Sequence, residues 1–165
     1  MYTGRDEVHI RALEHLDEGK DVPDCLNGAA LYHCGPIMKQ DDDGKWSVVA
    51  AGPTTSARMN ALEPRFIREF KIRAIIGKGG MSKEVAEAMK EVGCVYLAAT
   101  GGVAVSYAEG LSKVTGCDWL DLGMPEALWH FQTSSLGPLV VAIDSEGNSL
   151  YETVRQKVAE NLSKQ

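Results

Sequence analysis

The chain lacks most of what specialised function classes require. None of its 4 cysteines, Cys25, Cys34, Cys94 and Cys117, forms a C-x-x-C pair, and no histidine stands at metal-ligand spacing from them. That argues against a zinc module or a disulfide scaffold and for reduced thiols, since Cys34, Cys94 and Cys117 lie in apolar runs. No stretch reaches the roughly 18 apolar residues of a membrane span. The opening Met1-Tyr2-Thr3-Gly4-Arg5-Asp6 has neither the basic start nor the apolar core of a signal peptide. A basic excess is missing too: 17 Lys and Arg against 23 Asp and Glu leave a net charge of −6. Nucleic-acid binders neutralise phosphates with a basic face, which this balance does not offer. There is no fixed-period repeat, no low-complexity tract and no long Pro/Ser linker. The expectation is a cytoplasmic protein that uses neither nucleic acid nor membrane, with no metal ligands of its own.

With 165 residues, the chain amounts to about one domain of ~150. Its 44% hydrophobic and 24% charged residues are ordinary for a globular core. We read residues 1–165 as a single domain. Periodicity predicts a helix starting over Asp6 to His15 and strands over Ala29–Cys34 and Trp46–Ala51. Asp41-Asp42-Asp43-Gly44 reads as a hairpin tip and lacks the further oxygens of a calcium loop. Ser56 to Phe70 is helical in character with Pro64 interrupting it, and Ile72–Ile76 is a β-branched strand. Ser82 caps a helix over Lys83–Val92 that Gly93 ends. Then come a strand over Val95–Ala99, a helix over Val103–Lys113, and strands over Trp119–Leu122, Leu128–Phe131 and Leu139–Asp144. Ser149 caps a last helix towards Asn161, with Val154, Val158 and Leu162 at spacing four on one face. The middle alternates strand and helix while the flanks carry strands alone. The fold class is therefore α/β, with layered sheets and helices on one side.

Three glycine-rich turns each carry a cation: Gly4-Arg5-Asp6 with His9 after it, Gly52-Pro53-Thr54-Thr55-Ser56-Ala57-Arg58, and Gly77-Lys78-Gly79-Gly80-Met81-Ser82. The second and third follow strands and lead into helices, where ligands of α/β proteins collect and free N–H groups suit anions. Neither is a phosphate-binding fingerprint: position 72 is Ile, which breaks a Walker A loop, and position 82 is Ser, which breaks G-x-G-x-x-G. Taken singly, each is an ordinary tight turn. Arg58 in a first helical turn opposes the helix dipole and calls for an anion nearby. Together, two arginines that clamp carboxylates, a lysine point charge and the Thr54 and Thr55 hydroxyls describe a pocket for a small dicarboxylate.

The ordered blocks then become specific. They are Thr3-Gly4-Arg5-Asp6-x-x-His9, His33-Cys34-Gly35-Pro36, Gly52-Pro53-Thr54-Thr55-x-x-Arg58-Met59, Gly77-Lys78-Gly79-Gly80-Met81, Gly123-Met124-Pro125-Glu126-Ala127 and Gly137-Pro138-Leu139-x-x-Ala142-Ile143-Asp144-x-x-Gly147. The series resembles the β subunit of the iron–sulfur hydro-lyases, which include two-subunit class I fumarate hydratase and L(+)-tartrate dehydratase. The resemblance runs from about residue 3 to 151.

That resemblance implies a swivelling β/β/α domain and the reversible removal of water from a 2-hydroxy dicarboxylate, fumarate to (S)-malate or its tartrate counterpart. It implies a [4Fe-4S] cluster, with an open iron on the leaving hydroxyl, held by a partner α subunit rather than by this chain. An α₂β₂ assembly or a β–β dimer fits the same picture. Carried over by position, Arg5, Arg58 and Lys78 hold substrate carboxylates, with Thr55 and Gly79 in the same binding set. Thr54 is then the proton-transferring hydroxyl and His9 a further catalytic residue. His9 is the more natural base by intrinsic pKa, so both stand as proton-transfer groups. The family carries a leading segment with a strand before the arginine motif. It is missing here: either the chain is a piece of a longer one, or the sheet is expected to lose an edge, with Arg5 then weakly anchored. Two rival readings are a dicarboxylate-binding module without chemistry and a redox protein using Cys34.

Overall fold

In chain order the computed structural model, which describes residues 1–164, runs β1 (Tyr2–Gly4), α1 (Asp6–Asp17), β2 (Ala30–His33), β3 (Ile37–Gln40), β4 (Trp46–Ala50), α2 (Glu63–Phe70), β5 (Ala74–Gly77), α3 (Lys83–Val92), β6 (Val95–Ala98), α4 (Ala104–Gly110), β7 (Lys113–Asp118), β8 (Leu128–Gln132), β9 (Val140–Ile143) and α5 (Leu150–Leu162). Seven strands form one sheet in the order β7-β8-β1-β2-β5-β6-β9, and β3 and β4 form a separate hairpin. The central β1, β2, β5 and β6 are parallel, while β8 and β9 flank them antiparallel. The hairpin tip is the acidic turn expected from sequence: Asp41 N donates to Lys45 O at 3.0 Å and Lys45 N to the Asp41 carboxylate at 2.7 Å.

Period-two alternation divides the core. On β2 and β5, Leu31 and Ile75 face one apolar cluster and their neighbours Tyr32 and Ile76 the other. The first cluster is closed by α1, α2 and α3, through Val8, Leu13, Phe66, Ile67, Val85 and Met89. The second lies under the hairpin and α4, around Trp129, Phe131 and Tyr107. The layers are thus hairpin, sheet and helices, with α4 alone on the hairpin side.

Several local expectations are corrected. The helical character of Ser56 to Phe70 resolves into a 3₁₀ turn over Ser56–Met59 and then α2, where Pro64 sits in the first turn and starts the helix rather than breaking it. The Val103–Lys113 helix stops at Gly110, where a Cβ would lie 2.2 Å from Ser135 O, and Lys113 already belongs to β7. Trp119–Leu122 is not a strand: Trp119 has φ 56° and leads into a 3₁₀ turn, a short apolar run that periodicity alone misassigns. The sheet keeps its interior at the N-terminus, since β1 lies between β8 and β2. Arg5 therefore follows a central strand. In α5, Ser149 Oγ accepts Glu152 N at 3.3 Å, as a cap should, and Val154, Val158 and Leu162 are all exposed.

Candidate active site

The three cation-bearing turns meet at the C-terminal ends of β1, β2 and β5, three adjacent parallel strands. The segment after Gly52 wedges between the last two. Thr54 N donates to His33 O at 2.7 Å, Lys78 N to Thr54 O at 3.2 Å, and Ser56 N to Lys78 O at 3.1 Å. This close approach is why Gly77 has no side chain: a Cβ there would lie 1.9 Å from Ser56 Oγ. Gly79 turns the chain at φ 76°, a conformation L side chains rarely adopt.

The side chains follow this frame. Arg58 binds Asp6 with both arms of its fork, Nε at 3.2 Å and Nη2 at 2.7 Å. Arg5 pairs with Glu126 and brings Nε within 3.8 Å of the same Asp6. The two guanidiniums therefore share one carboxylate, which lets like charges sit side by side. Lys78 is half-buried, its stem passing Gly101 after β6. Thr54 is half-buried, while Thr55 and Gly79 are exposed. Arg5, Thr54, Thr55, Arg58, Lys78 and Gly79 thus gather on one shelf, open outward. A cavity of about 830 Å³ lies beside this shelf, between Ala57, Asn60, Gly80 and Ser82 on one side and Tyr151 and Arg155 on the other. It exists because α5 stands off the body, and it contains none of the predicted site residues.

His9 is placed differently from the rest. It is wholly buried, its Nε2 3.1 Å from Glu63 Oε2 and its Nδ1 2.8 Å from Arg5 O. His33, equally buried, places Nε2 3.2 Å from the same Glu63 oxygen and Nδ1 2.9 Å from Ser56 Oγ. The ring N–H directions point off-line to Glu63, so these are ion-pair contacts rather than aligned hydrogen bonds. Burial alone lowers the pKa of His9, but the Glu63 charge, the Arg5 carbonyl and Asp6 outweigh it and raise the group. Burial dominates at His33 and lowers it despite Glu63. Burial would raise Glu63, but the two imidazoles hold it well below the carboxylate range. His9 offers no atom to a ligand at the shelf.

Sequence reasoning missed Glu63, Asp6 and Glu126 as parts of this site. Glu63 left one signal: with Phe66, Ile67 and Phe70 it lies at i, i+3, i+4 and i+7, a charge on the buried stripe of α2.

The cysteines do not fit an iron–sulfur cluster. Cys34 and Cys94 are fully buried in the two different cores, on opposite faces of the sheet, and burial pushes each thiol up to about 12. That also disposes of Cys34 as a redox centre. Cys25 and Cys117 are half-buried and raised, again by burial, to about 11. One grouping was not legible from spacing: His130 Nε2 lies 2.8 Å from Asp118 Oδ2 and 3.6 Å from Cys25 Sγ, contacts made across β7 and β8 and far along the chain. Among the described residues no helix is long and apolar enough to cross a membrane.

Comparison with known proteins finds a family and several relatives. The family model described as "Fumarase C-terminus" matches residues 1–154. A Methanocaldococcus jannaschii protein provisionally named L(+)-tartrate dehydratase subunit beta is 49% identical over 164 residues, covering 99% of this chain and 84% of that one. The L(+)-tartrate dehydratase subunit beta of Escherichia coli K12 is 36% identical over 160 residues, 97% of this chain and 78% of that one. A longer Geobacillus stearothermophilus protein, provisionally named class I fumarate hydratase, is 45% identical over 163 residues, which span 99% of this chain and 30% of the relative.

Proposed function

The chain belongs to the Fumarase C-terminus family, and from that premise we propose that it is the β subunit of a hydro-lyase that adds water to, and removes it from, a four-carbon dicarboxylate, fumarate and (S)-malate first. L(+)-tartrate is the second reading, favoured by the names of the two β-subunit relatives. The observation that carries the proposal is the convergence of Arg5, Arg58, Lys78 and Thr54 at three adjacent strand ends.

The chemistry follows from that charge. Water loss removes a proton from the carbon beside a carboxylate, and negative charge develops on that carboxylate. Fixed cations aimed at it stabilise the transition state, each such contact being worth about 10²–10³ in rate. Arg58 and Arg5 bind carboxylates, displacing or adding to their Asp6 and Glu126 partners, while Lys78 supplies a point charge and Thr55 and the Gly79 backbone short polar contacts. Thr54 takes the carbon-bound proton on its oxygen. A threonine hydroxyl is a weak base, and the cations around it favour the alkoxide it needs. His9, sealed inside, acts on this site without touching substrate. The family's iron–sulfur cluster is assigned to a partner α subunit, because this chain's thiols do not fit it. The site is completed in an αβ assembly, with pairing between β subunits compatible with it, in the cytoplasm.

The test is the αβ assembly assayed for water loss from (S)-malate and from L(+)-tartrate. Turnover of either, with Thr54→Ala lowering kcat by about 10²–10⁴, supports the reading. Full turnover in Thr54→Ala removes the role given to Thr54. A folded assembly that binds dicarboxylate but turns over neither substrate makes the chain a binding module.

A further inference from the structure

Beneath the open shelf runs one continuous buried chain of polar contacts. Starting at the Arg5 carbonyl, it passes to His9 Nδ1 (2.8 Å), from His9 Nε2 to Glu63 Oε2 (3.1 Å), and on to His33 Nε2 (3.2 Å). From His33 Nδ1 it reaches Ser56 Oγ (2.9 Å), then the Tyr96 hydroxyl (3.0 Å) and finally the Gly79 carbonyl (2.9 Å). His9, His33, Ser56 and Glu63 are all 0% exposed. The chain ends on, or passes beside, each segment that carries a site cation: Arg5 itself, Ser56 two residues before Arg58, and Gly79 next to Lys78.

We propose that His9, Glu63 and His33 are positioning residues, a buried clamp that through Ser56 and Tyr96 holds the Arg5, Arg58 and Lys78 segments in one fixed geometry for dicarboxylate binding. The dicarboxylate part rests on the function proposed above; the clamp itself does not. Hydrogen-bond chemistry assigns its protons. The Arg5 carbonyl only accepts, so His9 Nδ1 carries hydrogen, and with Nε2 facing a carboxylate the ring carries both. A bare lone pair on His33 Nε2 would repel the Glu63 carboxylate 3.2 Å away, so the hydrogen sits on Nε2 and Nδ1 accepts from the Ser56 hydroxyl. The Tyr96 hydrogen lies between Ser56 Oγ and Gly79 O. The trio then holds one carboxylate and one imidazolium and is neutral overall, the state a water-free interior favours. A divalent cation among the same donors would leave a buried net charge of +1, with two neutral imidazoles and one carboxylate as its shell. A chain of this kind transmits displacement: loosening any link lets a cation drift, and a misplacement of about 1 Å costs about 10² in rate.

Glu63→Gln leaves two buried histidines without their anion and can unfold the chain, so Ser56→Ala and Tyr96→Phe carry the test. In the isotopically labelled full chain, imidazole ¹⁵N NMR at neutral pH should show His9 doubly protonated and His33 neutral with hydrogen on Nε2. Ser56→Ala should shift the backbone amides of both Arg5 and Gly79 while the chain stays folded. In the αβ assembly, Ser56→Ala should lower kcat/KM by about 10–10². The Ser56→Ala, Tyr96→Phe double variant should lose less than the product of the two single losses, as expected of links in one chain. A neutral His9 overturns the proposal, as do amide shifts confined to Ser56 and its neighbours, or single-variant losses that multiply. So does one equivalent of tightly bound divalent metal that Glu63→Gln releases. If the NMR pattern and the distant amide shifts hold while the wild-type assembly turns over no dicarboxylate, the clamp stands and the hydro-lyase reading falls.

Discussion

Gly77 shows how little room single residues have at this site. It ends β5 on the helix side, and a Cβ there would stand 1.9 Å from Ser56 Oγ and 3.3 Å from His33 Nδ1. Neither neighbour can yield without breaking its own contact, because Ser56 is held between His33 and Tyr96. Gly77→Ala should therefore destabilise the chain by about 1–3 kcal/mol, the usual range for overpacking a filled interior. It should also weaken the site although it touches no cation. Urea unfolding of the full chain measures the first effect; an unchanged midpoint would mean that Ser56 has another rotamer to occupy. The sequence singles out Arg58 and Lys78 only as a set, because each sits in a glycine-led turn that leads into a helix, while either turn alone is ordinary. Their partners it leaves unmarked. Asp6 and Glu126 look like surface acids until the fold brings residues 121 apart into contact, and spacing carries no such information.

At the scale of elements, α1, β2 and α2 are joined by a titratable contact whose pH dependence can be worked out. Glu63 is depressed from 4.5, so its contribution to stability is full above 4.5 and is lost as pH falls through the folded value. His33 is depressed from 6.5, so its contribution is full above 6.5 and is lost on acidification below it. His9 is raised from 6.5, so its contribution is full below 6.5 and is lost as pH climbs through the folded value. Two losses lie on the acid side and one on the alkaline side, so the trio favours maximal stability near neutrality. In Glu63→Gln the charge that does most to raise His9 is gone, leaving only the Arg5 carbonyl and Asp6 against burial, so the alkaline fall should shrink and the acid fall steepen. Unfolding midpoints at pH 5.5, 7 and 9 for both proteins decide this, and parallel curves would count against the trio as the source. The elements were legible where periodicity was strong, as in α3, which ends on Gly93 at φ 72°. They were not where tertiary contacts decide. The three residues of β1 look like a fraying terminus but gain two strand neighbours, and α4 is cut short by Ser135 passing Gly110.

For the whole molecule, the layering explains both what the chain does and what it leaves unfinished. The hairpin layer covers one face of the sheet's centre and α1 to α3 the other, so the ends of β1, β2 and β5 stay open, and there Arg5, Arg58 and Lys78 gather in a chain of net charge −6. Yet Arg58 is held by Asp6 and Arg5 by Glu126, both tethered carboxylates. A free dicarboxylate meets competitors whose local concentration is fixed by the fold, on an open surface where charge contacts are weak and screened by salt. The isolated chain should therefore bind (S)-malate or L(+)-tartrate no tighter than the millimolar range, about 4 kcal/mol of binding free energy. On the proposed function, an α subunit that caps the shelf would exclude water and strengthen each ionic contact, so affinity should rise by at least tenfold in the assembly, with a smaller salt dependence. Calorimetric titration of the chain alone and of the assembly, at low and at physiological salt, tests the argument. Micromolar binding by the isolated chain would mean that the shelf is already a finished pocket and that closure by a partner is not what completes it.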